Sequence, residues 1–333
     1  MKKNILAVCD LEEEYARKLM DYLNLKENVP FEVHAFTDVE KLEEYLKNEK
    51  VDILLISENA VKDSVSDYEI GQIFVLSEGA DISEVKGYKS IYKYQTTENI
   101  LREVMCYYAE NKEAINPRIK MVKDMDMIAV YSPVKRSLKT SFSITMGQIL
   151  AEKKRTLYIN LEDYAGFNTL FRTTYMTDMS DLMYYISREK PNFIWKLASM
   201  VQTMGKLEYV PPALSPIDIR NIRGEQWIRF FRELKKCNYE AIVIDMGEAV
   251  DGVFDILRMC KKIYTPIRDD GISYAKIEQY EALLRIMDYE DVIDKTRKLS
   301  FSYFSGVEKG LDRLIHTDLG AYARMLLETD GLI

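Results

Sequence analysis

Short apolar runs alternate with helix-like segments along the whole chain, and this alternation limits the fold to a few classes. In the first third, runs rich in β-forming residues occur at 5–10, 31–36, 51–57, 72–78 and 90–94. Amphipathic segments with helical spacing separate most of them, but residues 58–71 are too short and polar to predict a crossover helix. Strands that alternate with helices favour a parallel sheet with helices on both faces.

A second series of strands follows the first. Residues 113–126 contain Pro117, several charges and little periodicity, and therefore predict a linker. Strand-like runs then occur at 127–133, 155–163, 239–247 and 261–267, with helix-like runs between them. We predict two doubly wound α/β domains, at 1–112 and at 127–333, a number that suits a chain of 333 residues.

Composition argues against several functions. With two histidines and four scattered cysteines, zinc chemistry is not expected. No apolar run approaches a membrane span, and the start turns acidic after one short apolar run, unlike a secretory signal. We predict a cytoplasmic protein with reduced thiols. The final helix-like run, 319–333, has one basic and two acidic residues, so direct membrane insertion is not expected either.

Charge is unevenly distributed along the chain. Residues 1–112 hold 14 Lys and Arg against 23 Asp and Glu, a net charge of −9, whereas the whole chain has −8. The acidic first part would repel phosphates, so no nucleic-acid partner is expected. The remainder is close to neutral and tolerates an anionic ligand.

Polar residues end the strands of the first series in a recognisable order. Cys9 and Asp10 follow the first strand, and Ser57, Ser77 and Lys93 end the third, fourth and fifth. The order resembles a response-regulator receiver domain, which has an acidic pair, a phosphoacceptor Asp, a Ser or Thr and a Lys at these points. A serine cannot supply the carboxylate that binds Mg²⁺ and attacks a phosphoryl donor. We therefore predict a pseudo-receiver used for contacts, in which Lys93 is either a retained site residue or a solvated lysine.

The segment YSPVKRSLKTS, 131–141, has the frame of a phosphate-binding loop but no glycine. In such a loop, consecutive backbone N–H groups surround a phosphate with a helix N-terminus behind them. Glycines permit the positive φ angles that this path requires. Lys139 and Thr140 close the loop, and Ser141 continues a helix-like run.

The second half of the chain resembles the MinD/ParA branch of P-loop ATPases, particularly pilus-localisation proteins of the TadZ/CpaE type. Their loop reads Lys-Gly-Gly-x-Gly-Lys-Thr, commonly after Ser-Pro. Ser132-Pro133 and the run 139–141 match this pattern, whereas the first lysine falls on Val134. The three glycines fall on Lys135, Arg136 and Leu138.

Three later segments continue the resemblance. Glu162 stands where the family positions the attacking water, but Asn160 replaces the first carboxylate of that motif. Asp245 ends a strong strand at the position that holds the Mg²⁺ shell, and Pro266 and Asp270 correspond to the base or ribose side. Without the resemblance, Asp245 could equally be a helix N-cap.

The resemblance implies ATP and Mg²⁺ as cofactors. The implied nucleotide-binding set is Lys135, Arg136, Lys139, Thr140, Ser141, Asp245, Pro266 and Asp270. Thr140 and Asp245 would hold the Mg²⁺ that accompanies the nucleotide, and Glu162 is the candidate catalytic residue. Each non-glycine residue at positive φ costs on the order of 1–3 kcal/mol, so the backbone cradle is expected to be weakened. The side chains of Lys135 and Arg136 could hold a phosphate instead.

Three functions follow from these features. We favour a localisation or scaffold protein for a Tad/Flp-type pilus or secretion machine, with weak or lost nucleotide binding and little or no hydrolysis. The alternatives are an active, ATP-switched dimerising ATPase and a signalling protein driven by receiver phosphorylation. The expected partners are a second copy, bound through 127–333, and proteins of the machine, which would recruit the chain to the inner face of the membrane.

Overall fold

The computed structural model describes residues 4–25, 31–79, 83–110, 125–134, 138–188, 192–301 and 311–333. The chain forms two compact units. The first domain comprises residues 1–119 together with Ile194–Ser199, and the second comprises 120–193 and 200–333. Residues 113–124 of the predicted linker lie outside the described ranges.

Between residues 4 and 110, the described part of the first domain is a six-stranded sheet with three α-helices. Its elements are β1 (Asn4–Cys9), α1 (Glu13–Leu25), β2 (Phe31–Phe36), α2 (Val39–Leu46), β3 (Val51–Ser57), β4 (Ile70–Ser77), β5 (Glu84–Val85), β6 (Tyr88–Tyr92) and α3 (Thr97–Glu110). The strand order is β2-β1-β3-β4-β6-β5. All neighbours are parallel except β5 and β6, which are antiparallel. Apart from the short β5, this is the order 2-1-3-4-5 of flavodoxin-like sheets.

The sequence explains most of these elements. The central strands β1 and β3 are buried nearly throughout, which is why they read as continuous apolar runs. Asp38 caps α2 by accepting a hydrogen bond from the Glu40 amide, as its position predicts. Between β3 and β4 the chain forms two short 3₁₀ turns, Glu58–Ala60 and Asp63–Asp67, in agreement with the weak helix pattern of that segment.

The second part of the chain contributes one aromatic side chain to the first domain. Trp195, within Ile194–Ser199, is fully buried in the core cluster of this unit. Its ring stacks on Phe31 with centroids 5.1 Å apart. The core of the first domain is therefore completed by residues that are distant in sequence.

The second domain is a seven-stranded sheet. Its strands are β7 (Asp126–Val130), β8 (Thr156–Asn160), β9 (Gln202–Met204), β10 (Leu207–Val210), β11 (Ala241–Asp245), β12 (Lys262–Ile267) and β13 (Thr296–Ser300). The helices from residue 139 onward are α4 (Lys139–Ala151), α5 (Phe167–Leu170), α6 (Met179–Ser187), α7 (Phe193–Met200), α8 (Pro216–Arg220), α9 (Gly224–Leu234), α10 (Val253–Met259), α11 (Gly271–Ile286), α12 (Glu290–Asp294) and α13 (Asp318–Thr329). Of these, most of α7 belongs to the first domain, since that unit includes Ile194–Ser199. The order is β13-β12-β7-β11-β8-β10-β9, parallel except for β9 and β10.

Strand order places the candidate site. β11 lies between β7 and β8, so that Asp245 is in register with Val130 on one side and with Asn160 on the other. The helix α4 begins after the loop that follows β7 and packs with α13 into the core of this domain. The carboxyl ends of three parallel strands therefore meet beside the start of α4. Two doubly wound parallel-sheet domains were predicted, and this fold class is confirmed.

Candidate functional site

The loop after β7 keeps one glycine-like backbone conformation without a glycine. Leu138, directly before α4, has φ 71° and ψ 0°, in the left-handed region. This is one of the positions where the resemblance expects glycine. A non-glycine residue there costs on the order of 1–3 kcal/mol. The end of the loop therefore keeps the turn that leads into the helix, at the cost of backbone strain.

The start of the loop is fixed to a neighbouring strand. The Ser132 hydroxyl donates a hydrogen bond to the Pro266 carbonyl at 2.6 Å and accepts one from the Val134 amide at 3.2 Å. Pro266 lies in β12, whose middle residues are buried. The predicted nucleotide-side residue Pro266 is thus joined to the loop through its backbone oxygen.

Lys139 is held by groups of the protein itself. It is the first residue of α4 and is only 9% exposed. Its ammonium forms an ion pair with the Glu162 carboxylate, donates a hydrogen bond to the Met246 carbonyl, and lies 3.8 Å from Asp245 Oδ1. A lysine that would bind phosphate in a working loop here has two carboxylates and a carbonyl around it.

Asp245 is the buried centre of the site. It is fully buried at the end of β11, and Tyr158 and Asn160 each donate a hydrogen bond to its Oδ2 at 3.2 Å. Burial raises the pKa of Asp245 to about 6, against the opposing effect of the Lys139 ammonium and with the added repulsion of Glu162. Asp245 does not cap a helix, because α10 begins at Val253, so that alternative is wrong.

Asn160 organises the carboxylates on both sides of it. Its Nδ2 donates to Asp245 and to the Tyr158 hydroxyl, at 3.2 and 3.0 Å, and its Oδ1 accepts a hydrogen bond from the Glu162 amide at 3.0 Å. An Asp at 160 would place a second buried carboxylate within hydrogen-bonding distance of Asp245, which is unfavourable without a cation. The neutral amide therefore suits a site that is stable without a metal ion.

Gly247 allows the two carboxylate-bearing segments to approach each other. A Cβ atom at this position would lie 2.0 Å from the Leu161 carbonyl oxygen. Only glycine fits such a contact between backbones. The sequence pattern of a strand ending in Asp-Met-Gly carried this signal, but the contact with the end of β8 depends on the strand order.

Of the other predicted residues, some lie beside Asp245, some have structural roles in helices, and some lie outside the described ranges. The Thr140 hydroxyl lies near enough to Asp245 to lower its pKa, and the Ser141 carbonyl accepts a hydrogen bond from Thr145 within α4. Asp270 is the N-cap of α11, where it accepts hydrogen bonds from the Ser273 amide and hydroxyl at 2.8 and 3.1 Å. Lys135 and Arg136 lie outside the described residues, so their contact with a phosphate stays a prediction.

In the first domain, the residue directly after β6 is a buried lysine. Lys93 is 2% exposed, and its Nζ lies 2.9 Å from Asp10 Oδ2 and 2.7 Å from Glu12 Oε1. Its ammonium also lies 4.7 Å from the centre of the Tyr15 ring. Burial alone would lower the pKa of Lys93, but the hydrogen bonds to Glu12 and Asp10 raise it. The alternative of a solvated lysine at a strand end is wrong, because its charge has partners far along the chain.

The residue in the phosphoacceptor position is a buried hydroxyl. Ser57 is 5% exposed, and its Oγ has no hydrogen-bond partner within the described ranges. Cys9, in place of one carboxylate, is buried, which raises the pKa of its thiol to about 12. Across the parts of the chain that are described, no group of three His, Cys, Asp or Glu side chains could hold a metal ion.

A comparison with known families assigns the first domain. Residues 1–109 match the family model for the TadZ-like receiver domain. The first domain is similar to the TadZ-like receiver family. The match covers about one third of the chain and confirms the resemblance to TadZ/CpaE-type proteins, which the motifs of the second half indicate together with a receiver-like first domain. No curated protein matches the chain.

Several solved structures are similar to the chain at low identity. A ParA-family ATPase from Chlorobium tepidum has 16% identity and a TM-score of 0.46, covering 59% of this chain and 81% of its own. A chain of the MinC:MinD cell division protein complex from Aquifex aeolicus has 16% identity and a TM-score of 0.41, covering 57% of this chain and 76% of its own. Cobyrinic acid a,c-diamide synthase from Mycobacterium smegmatis, with an ATP analogue and magnesium, has 13% identity and a TM-score of 0.41. The match covers 58% of this chain and 78% of the synthase. The architecture of the second domain therefore rests on its own strand order.

The described residues were also compared with the requirements of a membrane-spanning helix. Within them, no helix combines the length and apolar character needed to cross a bilayer.

Proposed function

We propose that the chain is a localisation or scaffold protein of a Tad-type pilus or secretion machine, whose second domain resembles a MinD/ParA-type switch but hydrolyses little or no ATP. The TadZ-like match of residues 1–109 supports the kind of machine. The observation that carries the loss of turnover is the Lys139 ammonium, which is bonded to Glu162 and to the Met246 carbonyl.

The described residues fit a nucleotide only in part. The left-handed turn at Leu138 and the Thr140 hydroxyl near Asp245 suit a phosphate with Mg²⁺. However, a phosphate must displace Glu162 before it reaches Lys139, because that carboxylate already neutralises the ammonium. We therefore infer that ATP and Mg²⁺ bind weakly and that Lys139, Thr140 and Asp245 would hold them.

The described carboxylates do not suit hydrolysis. Glu162, the candidate for positioning water, is paired with Lys139, and Asp245 accepts hydrogen bonds from Asn160 and Tyr158. Val134 replaces the signature lysine that would stabilise charge in the transition state. These features support a domain that holds a conformation without cycling between nucleotide states.

The first domain supports the same function. Ser57 cannot form an aspartyl phosphate. The charge of Lys93 is neutralised by Asp10 and Glu12, so it is not available to bind a phosphoryl group. We infer that this pseudo-receiver is a contact module for proteins of the machine. Such partners would recruit the chain from the cytoplasm to the inner face of the membrane.

A second candidate is an ATP-switched ATPase, which the left-handed Leu138 favours because part of the loop path survives. Calorimetric titration with ATP and Mg²⁺ at low and high salt, combined with steady-state phosphate release, distinguishes the two. The scaffold function predicts weak, salt-sensitive binding and release no faster than in Lys139→Ala. Tight binding that ignores salt, with release above that control, would support the ATPase.

A further inference from the structure

The helix α11 buries only a narrow stripe of its surface. It has 16 residues, which corresponds to a length of about 24 Å. Its buried side chains follow one another at spacings of three and four, on one face of the helix, and they are Ser273, Ile277, Tyr280 and Leu284. A surface helix usually has polar residues on the face opposite to such a stripe. The residues on that face of α11 therefore indicate whether solvent or another molecule covers it.

The exposed face of α11 has an apolar seam. Positions 272, 275, 279, 282 and 286 are separated by three, four, three and four residues, which is the a and d pattern of a coiled coil. We call these five residues the α11 seam, and they are Ile272, Ala275, Gln279, Ala282 and Ile286. All five are exposed, and the two isoleucines are 74% and 79% exposed. Four apolar residues in this pattern, on the solvent side of a helix, favour packing against a second helix.

Two opposite charges flank the α11 seam on the same side. Glu278 and Arg285 are seven residues apart, each directly before a seam residue, so both occupy the g position of the heptad. Both are exposed. Arg285 lies 3.7 Å from Glu281, but the Glu281 carboxylate has a closer cation, Lys298, at 2.5 Å. The Arg285 guanidinium is therefore held only loosely and can bind a carboxylate from another molecule.

We propose that α11 pairs in antiparallel orientation with α11 of a second copy of this chain. In an antiparallel pair, the g positions of the two helices lie opposite each other, so Glu278 faces the partner's Arg285. The two-fold symmetry of such a pair forms this contact twice. A parallel pair would instead place Glu278 opposite the partner's Leu283, an e position, and would form no ion pair. The charges of α11 are therefore complementary to those of α11 itself, in one orientation.

The same register also pairs large side chains with small ones. Ile286 packs against the partner's Ala275, and Gln279 packs against the partner's Ala282. Alternation of large and small residues lets two helices interdigitate. One polar residue at a seam position fixes the register at a cost in stability. This fit of shape and charge favours a second copy over an unrelated protein.

The size of the seam indicates a weak contact. Two helices about 24 Å long and about 10 Å wide bury less than the roughly 1,200 Å² of a stable interface. Pairing therefore requires a high local concentration, such as that of chains gathered at one place. It uses neither the phosphate loop nor the carboxylates around Lys139, so it does not depend on nucleotide or on the proposed function.

The test is sedimentation equilibrium of the full chain and of two charge-reversal variants, Glu278→Arg and Arg285→Glu. Because a small contact is weak, the samples extend to about 0.5 mM chain. We expect the α11 contact to weaken at least about tenfold in each variant alone, since two attractive pairs become repulsive. An equimolar mixture of the two variants should recover most of the wild-type association, because the new arginine of one faces the new glutamate of the other.

A matched control is available on α9. Glu225 and Arg232 are also exposed and seven residues apart, so Glu225→Arg and Arg232→Glu make the same reversals on another helix and should leave association unchanged. Self-association through any other surface is the same in all of these samples. Three results would each overturn the proposal: equal mean mass in wild type and both α11 variants, no recovery in the mixture, or an equal loss in the α9 variants. Recovery in the mixture also shows that the α11 variants are folded.

Discussion

The Lys139 ammonium and the Glu162 carboxylate form an ion pair between the first residue of α4 and the loop that follows β8. Lys139 is only 9% exposed, and the Glu162 side chain is 28% exposed. An opposite charge in such surroundings is a strong competitor for any anionic ligand of the lysine. Glu162 therefore has the negative charge, and the position beside Lys139, of an internal substitute for a phosphate.

Glu162→Gln should unmask phosphate binding. The glutamine keeps the shape but not the charge, so Lys139 loses its closest anionic partner and keeps the Met246 carbonyl and, at 3.8 Å, Asp245. We expect the affinity for ATP with Mg²⁺, measured by calorimetry at low salt, to rise by about tenfold, the equivalent of roughly 1.4 kcal/mol. Glu225→Gln, an exposed change in the first turn of α9, is the control and should leave affinity unchanged. An unchanged affinity in Glu162→Gln would show that the ion pair does not limit binding.

Leu138 should reverse the usual order of alanine and glycine. In a helix interior, glycine is less stable than alanine by roughly 1 kcal/mol. At the left-handed φ of Leu138 the strain falls on alanine and not on glycine. We expect Leu138→Gly to unfold at higher denaturant concentration than Leu138→Ala, by about 1 kcal/mol in free energy of unfolding.

The same pair of changes at Leu283 provides the control for this comparison. Leu283 is 43% exposed inside α11, where the backbone is helical. There the alanine variant should be the more stable, by about 1 kcal/mol. If the order at position 138 matches the order at 283, the left-handed turn is not retained in solution.

Asp245 should make stability fall as pH rises. Its folded pKa of about 6 lies above the ordinary value of 3.8, so the folded state binds the proton more tightly than the unfolded state. The contribution of Asp245 to stability is therefore full below the ordinary pKa and is lost as pH rises from about 4 to 6. Two pKa units correspond to on the order of 2 to 3 kcal/mol.

This dependence is measured as a difference between wild type and Asp245→Asn. The two proteins should have similar free energies of unfolding near pH 4, and the variant should become the more stable towards pH 6.5. Denaturant unfolding at several pH values gives the difference, in which other titrating groups cancel. A difference that stays constant across this window would contradict the raised pKa.

The sequence predicts the strands well and the site poorly, for a physical reason. Buried parallel strands are apolar on both faces, so runs such as VDILLIS at 51–57 identify themselves locally. The ion pair of Lys139 with Glu162 depends on β11 lying between β7 and β8, which no local pattern encodes. Lys93 is similar, because its partner Asp10 is 83 residues away in sequence. Tyr158 was missed because a tyrosine in a strand is ordinarily a core residue.

The first domain should not be phosphorylated at the receiver position. Because Ser57 replaces the acceptor carboxylate, acetyl phosphate should leave the mass of the chain unchanged, and beryllofluoride should leave its oligomeric state unchanged. Ser57→Asp restores the carboxylate at the end of β3, which pairs with β1, and tests whether the surroundings support phosphorylation. A stoichiometric aspartyl-phosphate adduct on the wild-type chain would contradict the pseudo-receiver function.

The full chain should self-associate through its second domain. Tyr164 and Met176 are 83% and 94% exposed in the segments between β8 and α6. Large apolar side chains this exposed favour burial against another surface. Light scattering at increasing concentration should show a dimer, with or without ATP, and Met176→Glu should shift it towards monomer.

Met325, 47% exposed on α13, offers the matched control Met325→Glu, which should leave the dimer intact. A strict monomer at high concentration, with and without ATP and Mg²⁺, would reject self-association, and equal effects of the two glutamates would place the interface elsewhere.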